Sequence, residues 1–489
     1  MWWLTIPVII YSAGILYLWM QLRRNAGGVS TDGESLRRDA GGLATTAGRG
    51  KVSLLSENRT GNTSAISASG EEEYPVPLPE SEASVTVVVA VRNEERNVTT
   101  LLDGLVRQDY PGHLMEIIVV NDNSTDRTPV AVSEFMEAHR VTSGIRMRLL
   151  YNPIPGKKQA VRLGVSRAAG ELILTTDADC TAGPGWVRAH VSEYGRGRNG
   201  NPGTDIFSGH REGSASAGSQ PSSLPGAGSG NRAVPASSAG RGGSGKTSMV
   251  IPSGGDDRSG QAELPDTSSG GALPSMVLGP VVQRAGRGFW SLFGVYEFSA
   301  LQSVTEATAR TGHPVMCNAA NMSFPRDVYL RHAGELRDDL PSGDDIFLLH
   351  AVRRGGGTVG FAGSSAAAVE TAAAVRAAAL LRQRARWASK SWHYRDPATL
   401  TLAAATAACN AAVTAAAVGA AISSQYLPLL GALYAIRAVP DYLIITGNIR
   451  KSGLKSPLLP FVLSEIIYPF WFMTVAAISL LPASRRFRK

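Results

Sequence analysis

Apolar residues fall into distinct kinds of run along the 489-residue chain. The first kind is long and uncharged. Residues 2–20 are about as long as a bilayer crossing requires and carry aromatic residues at both ends, so they predict a membrane span. Residues 398–436 also lack charge, and residues 457–482 contain only Glu465. With a break near residues 423–428, these blocks predict spans over 398–422, 426–445 and 458–481. The second kind is short. Residues 85–91 (VTVVVAV), 116–120, 146–151 and 171–176 read as buried strands, separated by helix-length stretches over 98–108, 127–140 and 157–169. Alternation of this sort predicts a mostly parallel sheet, with its ligand site beyond the carboxyl ends of the strands, where residues 93–97, 121–126 and 177–180 fall. Elsewhere the pattern lapses. Residues 25–79 are rich in Gly, Ser, Thr and Arg. Of residues 211–270, 27 of 60 are Gly or Ser, and no aromatic side chain occurs over 208–288. The first stretch predicts a flexible tether and the second a disordered insertion, because neither can bury enough surface to fold.

Composition alone misleads. An apolar fraction of 44%, a charged fraction of 18% and a mean hydropathy of −0.02 describe an ordinary soluble protein, yet they average apolar ends with polar stretches. The net charge of +8 suits an anionic partner of any kind, and much of the basicity lies beside the predicted spans at Arg23, Arg24, Arg384, Arg386 and residues 485–489. Arg23 and Arg24 follow the first apolar run, which argues against a cleaved signal peptide and sets the N-terminus outside with the following segment cytoplasmic. Arg450, Lys451 and Lys455 and the run 485–489 all favour the cytoplasmic side, but three full spans would separate the two groups; one C-terminal segment is therefore expected to lie in the interface or re-enter. Arg437 and Asp441, four residues apart, form either an ion pair facing protein or a contact to a substrate or lipid phosphate. Cys180, Cys317 and Cys409 have neither disulfide-scaffold nor zinc spacing, which favours a reducing compartment.

Several short motifs carry candidate chemistry. Residues 240–247 (GRGGSGKT) match a phosphate-loop pattern, but no strand precedes them and no helix follows, so the match is a chance product of a Gly/Ser tract. Asp177 and Asp179 end a predicted strand, where positions i and i+2 share a face and can jointly address a hard divalent cation on a diphosphate. After another strand, Asp126 suits a helix cap while Asp122 points at a ligand. Lys157 and Lys158 open a helix after Gly156, either to contact phosphate or as solvated lysines. Asp344 and Asp345 either cap the apolar helix they begin or supply a general base, a task suited to adjacent acids whose pKa is raised by like charge and burial. Gln383, Arg384, Arg386 and Trp387 (QRARW) either anchor a helix at the interface or offer an amide, a guanidinium and an aromatic platform to a sugar diphosphate.

Taken together, residues 85–97, 116–128, 156–180, 313–324, 342–350 and 383–387 resemble the membrane-bound glycosyltransferases of family 2 in order and spacing. The resemblance implies an α/β GT-A domain, Rossmann-like and built for nucleotide-diphospho-sugars, with transmembrane helices at both ends. It divides the chain into an anchor (1–22), a linker (23–82), a nucleotide-sugar-binding half (83–210), the insertion (211–273), an acceptor and catalytic half (274–395) and about three transmembrane or interfacial helices with a basic tail (396–489). Glu94 and Asp122 then match positions that hold nucleobase and ribose, with Lys157 beside the phosphates. Asp177 and Asp179 match the DxD motif that binds ribose and a Mg²⁺ or Mn²⁺ ion, Asp179 being the metal position. Asp345 matches the base that deprotonates the acceptor, a role Asp344 could share or take. Gln383, Arg386 and Trp387 match the QxxRW motif that holds diphosphate and acceptor sugar. The implied reaction is an inverting, metal-assisted transfer from a nucleotide sugar to a lipid-linked or membrane-proximal acceptor, in polysaccharide or glycolipid biosynthesis, by an integral membrane protein whose catalytic domain is cytoplasmic and which needs no nucleic acid. The alternative is a processive polysaccharide synthase of the same family.

Overall fold

A computed structural model describes residues 1–27, 83–140, 143–196, 273–340 and 342–480. The expected linker and insertion, the residues 240–247 and the basic run 485–489 lie outside the described residues, apart from residues 23–27 at the start of the linker and the last residue of the insertion. After helix α1 (Thr5–Gly27), the chain alternates through β1 (Val85–Val91), α2 (Val98–Val106), β2 (Met115–Asn121), α3 (Thr128–His139), β3 (Arg146–Tyr151), α4 (Lys157–Arg167) and β4 (Leu172–Asp177). The four strands stand within a residue or so of where the apolar runs predict them. β1 is buried at every position but Ala90, which is why its sequence is a continuous valine run: a central parallel strand covered on both faces has no polar side to alternate with. β1 pairs in parallel with β2 and β4, and β2 with β3.

The chain then adds β5 (Cys180–Ala182), α5 (Trp186–Arg196), β6 (Met276–Leu278), β7 (Val281–Arg284), α6 (Phe289–Arg310), β8 (Met322–Pro325), α7 (Arg326–His332), α8 (Asp344–Arg354), β9 (Val359–Phe361), β10 (Val369–Ala372) and α9 (Ala377–Ser391). Seven strands form one sheet in the order β3-β2-β1-β4-β8-β6-β9, and β5, β10 and β7 form a second. β8 runs antiparallel to both β4 and β6, so the sheet is mixed rather than uniformly parallel. A buried polar knot ties α5 to the second half. His190 donates from Nε2 to Asn321 Oδ1 and accepts at Nδ1 from Ser323 Oγ, both at 2.8 Å. Asn321 in turn donates to the carbonyls of Pro280 and Ala367. All three side chains are buried, and they satisfy one another's hydrogen-bonding groups.

Three further helices follow: α10 (Pro397–Ile422), α11 (Leu427–Lys451) and α12 (Leu458–Leu480). With residues 2–24 they make four helices long and apolar enough to cross a membrane. Lys451, in the last turn of α11, pairs with Glu306 of α6 at 3.1 Å, and Tyr296 Oη of α6 donates to Pro457 O just before α12 at 2.8 Å. One end of the helical group is thereby fixed against the sheet domain. All three C-terminal helices are continuous and of spanning length, so helix length singles out none of them as the segment expected to lie in the interface or re-enter; a charge bias weights orientation without limiting helix length. Arg437 resolves in favour of the protein-facing reading. Its Nε lies 3.0 Å from Asp441 and its Nη2 3.4 Å from Glu465 of α12, while Tyr11 Oη of α1 donates to Asp441 at 2.9 Å. A guanidinium buried between two carboxylates is not offered to a phosphate.

Candidate active site

The loops that leave β1 and β2 are laced together. Asn93 Oδ1 accepts from the Thr125 N–H at 2.8 Å, the Glu94 N–H donates to Thr128 Oγ1 at 2.8 Å, and Glu95 Oε2 accepts from the Arg127 N–H at 3.0 Å. Asp126 takes the capping role expected of it, accepting from Thr128 N at 3.0 Å and Thr128 Oγ1 at 2.6 Å. Against a small cost of burial, these bonds hold its carboxyl below the ordinary range. Half-buried at this junction, Glu94 accepts from Asn97 Nδ2 at 2.8 Å. Asp122 is 4% exposed; its Oδ1 accepts from Asn152 Nδ2 at 2.9 Å and from the Gly156 N–H at 2.7 Å. One carboxylate oxygen thus braces the turn that opens α4, and Oδ2 faces Arg92 at 4.0 Å. That turn needs glycine, since Gly156 has φ +139.

Lys157, the first residue of α4, reaches Asp177 at the end of β4, with Nζ 2.5 Å from Oδ1. Lys158 does something different. It is buried and donates to the Leu336 and Arg337 carbonyls, both at 2.6 Å, with its ammonium 5.2 Å from the Phe347 ring centre. Lys157 is ion-paired to a carboxylate, whereas Lys158 is bonded to backbone carbonyls and feels Asp344 only through its charge. Asp179 corrects the strand-alternation argument: β4 ends at Asp177 and Asp179 lies in the turn before β5. Backbone reversal, rather than strand pleating, therefore sets its direction.

From the other half, α8 brings Asp344 and Asp345 in its first turn, after Gly343 in the left-handed region (φ +99). Gly343 stands at the cap position and has no side chain to offer, and Asp345 Oδ1 accepts from the Ile346 N–H of the same turn at 2.8 Å. Asp345 is half-buried, with Oδ2 accepting from the Ala319 N–H at 3.3 Å. Asp344 is 5% exposed and its Oδ2 has no hydrogen-bond partner. Burial first, then the charge of Asp345, push the Asp344 carboxyl up, while Lys157 and Lys390 pull it down. Lys157 answers in kind: burial disfavours its charge, but Asp177, Asp344 and Asp345 together hold its ammonium above the ordinary lysine range. Four residues from three distant segments thus act on one another at the carboxyl end of the sheet.

The QxxRW segment lies on α9. Arg384 is buried in an ion pair with Glu297 of α6 at 3.0 Å, stacks 4.3 Å from the Trp387 ring centre and donates to Gln383 Oε1 at 2.9 Å. Arg386 is exposed. Among the described residues, no hydrogen bond or ion pair joins Gln383, Arg386 or Trp387 to the carboxylates of the sheet edge. Lys390, one turn further along α9, is the residue whose charge reaches them. Sequence reasoning passed over Lys390, Glu297 and Asn152; Glu297 alone carried a signal, as a single acid inside the otherwise uncharged residues 289–305.

The donor set at the β4 turn fits a hard divalent cation. Asp177 and Asp179 supply carboxylate oxygens, and Asp177 already holds a cationic group in Lys157. Among the described residues, no group of three or more His, Cys, Asp or Glu side chains could hold an ion unaided, so further oxygens would have to come from a ligand such as a diphosphate.

Residues 86–214 match the model of Glycosyl transferase family 2. Over those residues the chain therefore carries a family 2 glycosyltransferase domain, in a mixed α/β sheet accompanied, among the described residues, by four helices long and apolar enough to cross a membrane. A probable glycosyltransferase, YdaM, of Bacillus subtilis is 38% identical over 99 residues, 20% of this chain and 23% of that protein. The dolichyl-phosphate beta-glucosyltransferase ALG5C of Trichomonas vaginalis is 38% identical over 122 residues, 23% of this chain and 35% of that protein. The chain thus spans 23% and 35% of the length of these two relatives. Among solved structures, the mannosyltransferase PcManGT of Pyrobaculum calidifontis, in complex with GDP-Man and Mn²⁺, aligns over 83% of this chain and 89% of its own at 17% identity and a TM-score of 0.44.

Proposed function

We propose that this protein transfers a sugar, with inversion, from a nucleotide diphosphate to a hydroxyl or phosphate of a lipid-linked or membrane-proximal acceptor, from a catalytic domain on the cytoplasmic face of the membrane. The observation that carries the reading is the mutual approach of Lys157, Asp177, Asp344 and Asp345, with Lys157 bonded to Asp177 at 2.5 Å. Acids and a cation converging at the carboxyl ends of parallel strands, with Lys157 and Asp177 inside the stretch that matches family 2, suit an anionic diphosphate and a proton-accepting carboxylate.

In this reading Glu94 and Asp122 take the nucleoside, braced by the lacing of the two loops, and Lys157 and Arg386 balance diphosphate charge. Asp177 and Asp179 would hold Mg²⁺ or Mn²⁺, which neutralises charge on the leaving group when bound. Asp345 accepts the acceptor proton as the acceptor oxygen bonds to the anomeric carbon and the bond from that carbon to the diphosphate oxygen breaks. Gln383 and Trp387 support the acceptor sugar. Asp345 suits the base role better than Asp344 because it is half-exposed at the helix start, whereas Asp344 is buried behind it. Incubation of the purified protein with a panel of nucleotide sugars and polyprenyl-phosphate or diacylglycerol acceptors tests the reading. Donor- and acceptor-dependent release of nucleoside diphosphate is expected, with a loss of at least about 100-fold in Asp345→Ala. Undiminished transfer in that variant would remove Asp345 from the mechanism.

A further inference from the structure

Lys390 has no place in the motifs above, yet it stands at the acid pair. Its stem lies across the cap of α8: a side-chain carbon built onto Gly343 would come within 2.9 Å of Lys390 Cδ. Two bonds beyond that carbon is the ammonium, beside a first turn whose Asp344 has a buried oxygen with no hydrogen-bond partner. The other cation at this acid pair, Lys157, is already bonded to Asp177. Among the described residues, no carboxylate, Asp344 and Asp345 included, lies in ion-pairing distance of Lys390, so it acts on the acid pair through its charge alone. It also sits four residues after Arg386, one turn along the same face of α9.

We propose that Lys390 is a positioning residue for the transfer reaction: by lying across the cap of α8 it sets a cation beside the Asp344–Asp345 pair and offsets the repulsion between the two acids. Two adjacent carboxylates in a partly buried turn oppose each other's ionisation, and a nearby cation that is free of other partners relieves that opposition. The remaining groups around the pair do not do this. Tyr329 of α7, Cys317 and Tyr394 are held neutral, burial being the first cause in each case and the acids themselves adding to it. Lys158 is bonded to backbone carbonyls, and burial lowers its own affinity for a proton. The inference rests on the glycosyltransferase reading for its catalytic meaning, but the charge coupling stands without it.

The experiment uses the full chain in nanodiscs, with Lys390→Met, Lys390→Arg, Asp344→Asn and the double variant Lys390→Met/Asp344→Asn. In the transfer assay, Lys390→Met should move the acidic limb of kcat/KM upward by about one pH unit, roughly a tenfold loss below the limb, with donor KM unchanged and the limb restored by Lys390→Arg. Thermal unfolding across pH gives a readout that needs no activity. Lys390→Met should be less stable than wild type at neutral pH and recover as the pH falls and the acids protonate, and this pH-dependent difference should vanish in the Asp344→Asn background. If the wild type transfers no sugar, the functional reading fails while the unfolding data still decide the coupling. An unfolding difference that is flat with pH, or that persists in Asp344→Asn, overturns the proposal; so does a rise in donor KM without a shift of the limb.

Discussion

The ion pair between Arg384 and Glu297 is where the QxxRW helix can be tested most sharply. The two side chains are 4% and 9% exposed, 3.0 Å apart, and Arg384 Nη2 already lacks a hydrogen-bond partner. Removing the acid by Glu297→Ala leaves a guanidinium between α6 and α9 with no carboxylate, its remaining company being Gln383 Oε1 at 2.9 Å and the Trp387 and Phe298 rings at 4.3 and 5.9 Å. Breaking one side of such a pair costs about 3–5 kcal/mol, whereas replacing both sides with apolar groups of similar volume is close to neutral. Glu297→Ala and Arg384→Met should therefore each be destabilising, and Glu297→Leu/Arg384→Met should recover most of the loss. A double-mutant cycle by denaturant unfolding in detergent, run with Glu297→Leu as the single acid variant, reads the coupling directly; about 2 kcal/mol or more is expected. Because Arg384 also supports Trp387 and Gln383, Glu297→Ala should raise the acceptor KM more than the donor KM. Additive single losses, with no recovery in the double variant, would refute the reasoning that α9 is docked through this pair.

Two other outcomes follow from the site. His190 is held neutral, burial pushing its pKa down to about 4 from 6.5; because the unfolded chain then binds the extra proton, stability is full above about pH 6.5 and falls as the pH drops toward 4. That slope amounts to roughly 3 kcal/mol, and His190→Gln should flatten it in pH-dependent unfolding. Asp122→Ala leaves the Gly156 N–H and Asn152 Nδ2 without their shared acceptor, so it should cost about 2–4 kcal/mol and, by loosening the start of α4, weaken nucleoside diphosphate binding measured by calorimetry; unchanged affinity would remove Asp122 from the nucleotide pocket.

The legible part of this chain is the part where physics is local. Valine runs buried on both faces announce β1 and β2, uncharged runs announce the four long helices, and Lys157, Asp177 and the Asp344–Asp345 pair were recognisable at the ends of elements. What sequence could not show is set by tertiary approach. Lys157 and Lys158 are adjacent and chemically identical, yet helix rotation sends one to Asp177 and buries the other against the 336–337 turn. Asp179 seemed to share a strand face with Asp177, but the strand ends first. Arg437 looked equally suited to protein or phosphate until α1 and α12 brought Tyr11 and Glu465 to it. The antiparallel β8, inserted between β4 and β6, comes from beyond the Gly/Ser tract, where short strands of three or four residues leave little periodicity to read.

The central claim is that a nucleotide diphosphate is held where Lys157 and Asp177 meet the first turn of α8. An experimental structure of the full chain with a nucleoside diphosphate and Mn²⁺ tests it most directly. The diphosphate is expected between Lys157 and the Asp177–Asp179 turn, with the nucleoside toward Glu94 and Asp122. A nucleotide bound elsewhere, or no binding at millimolar concentration, would contradict it.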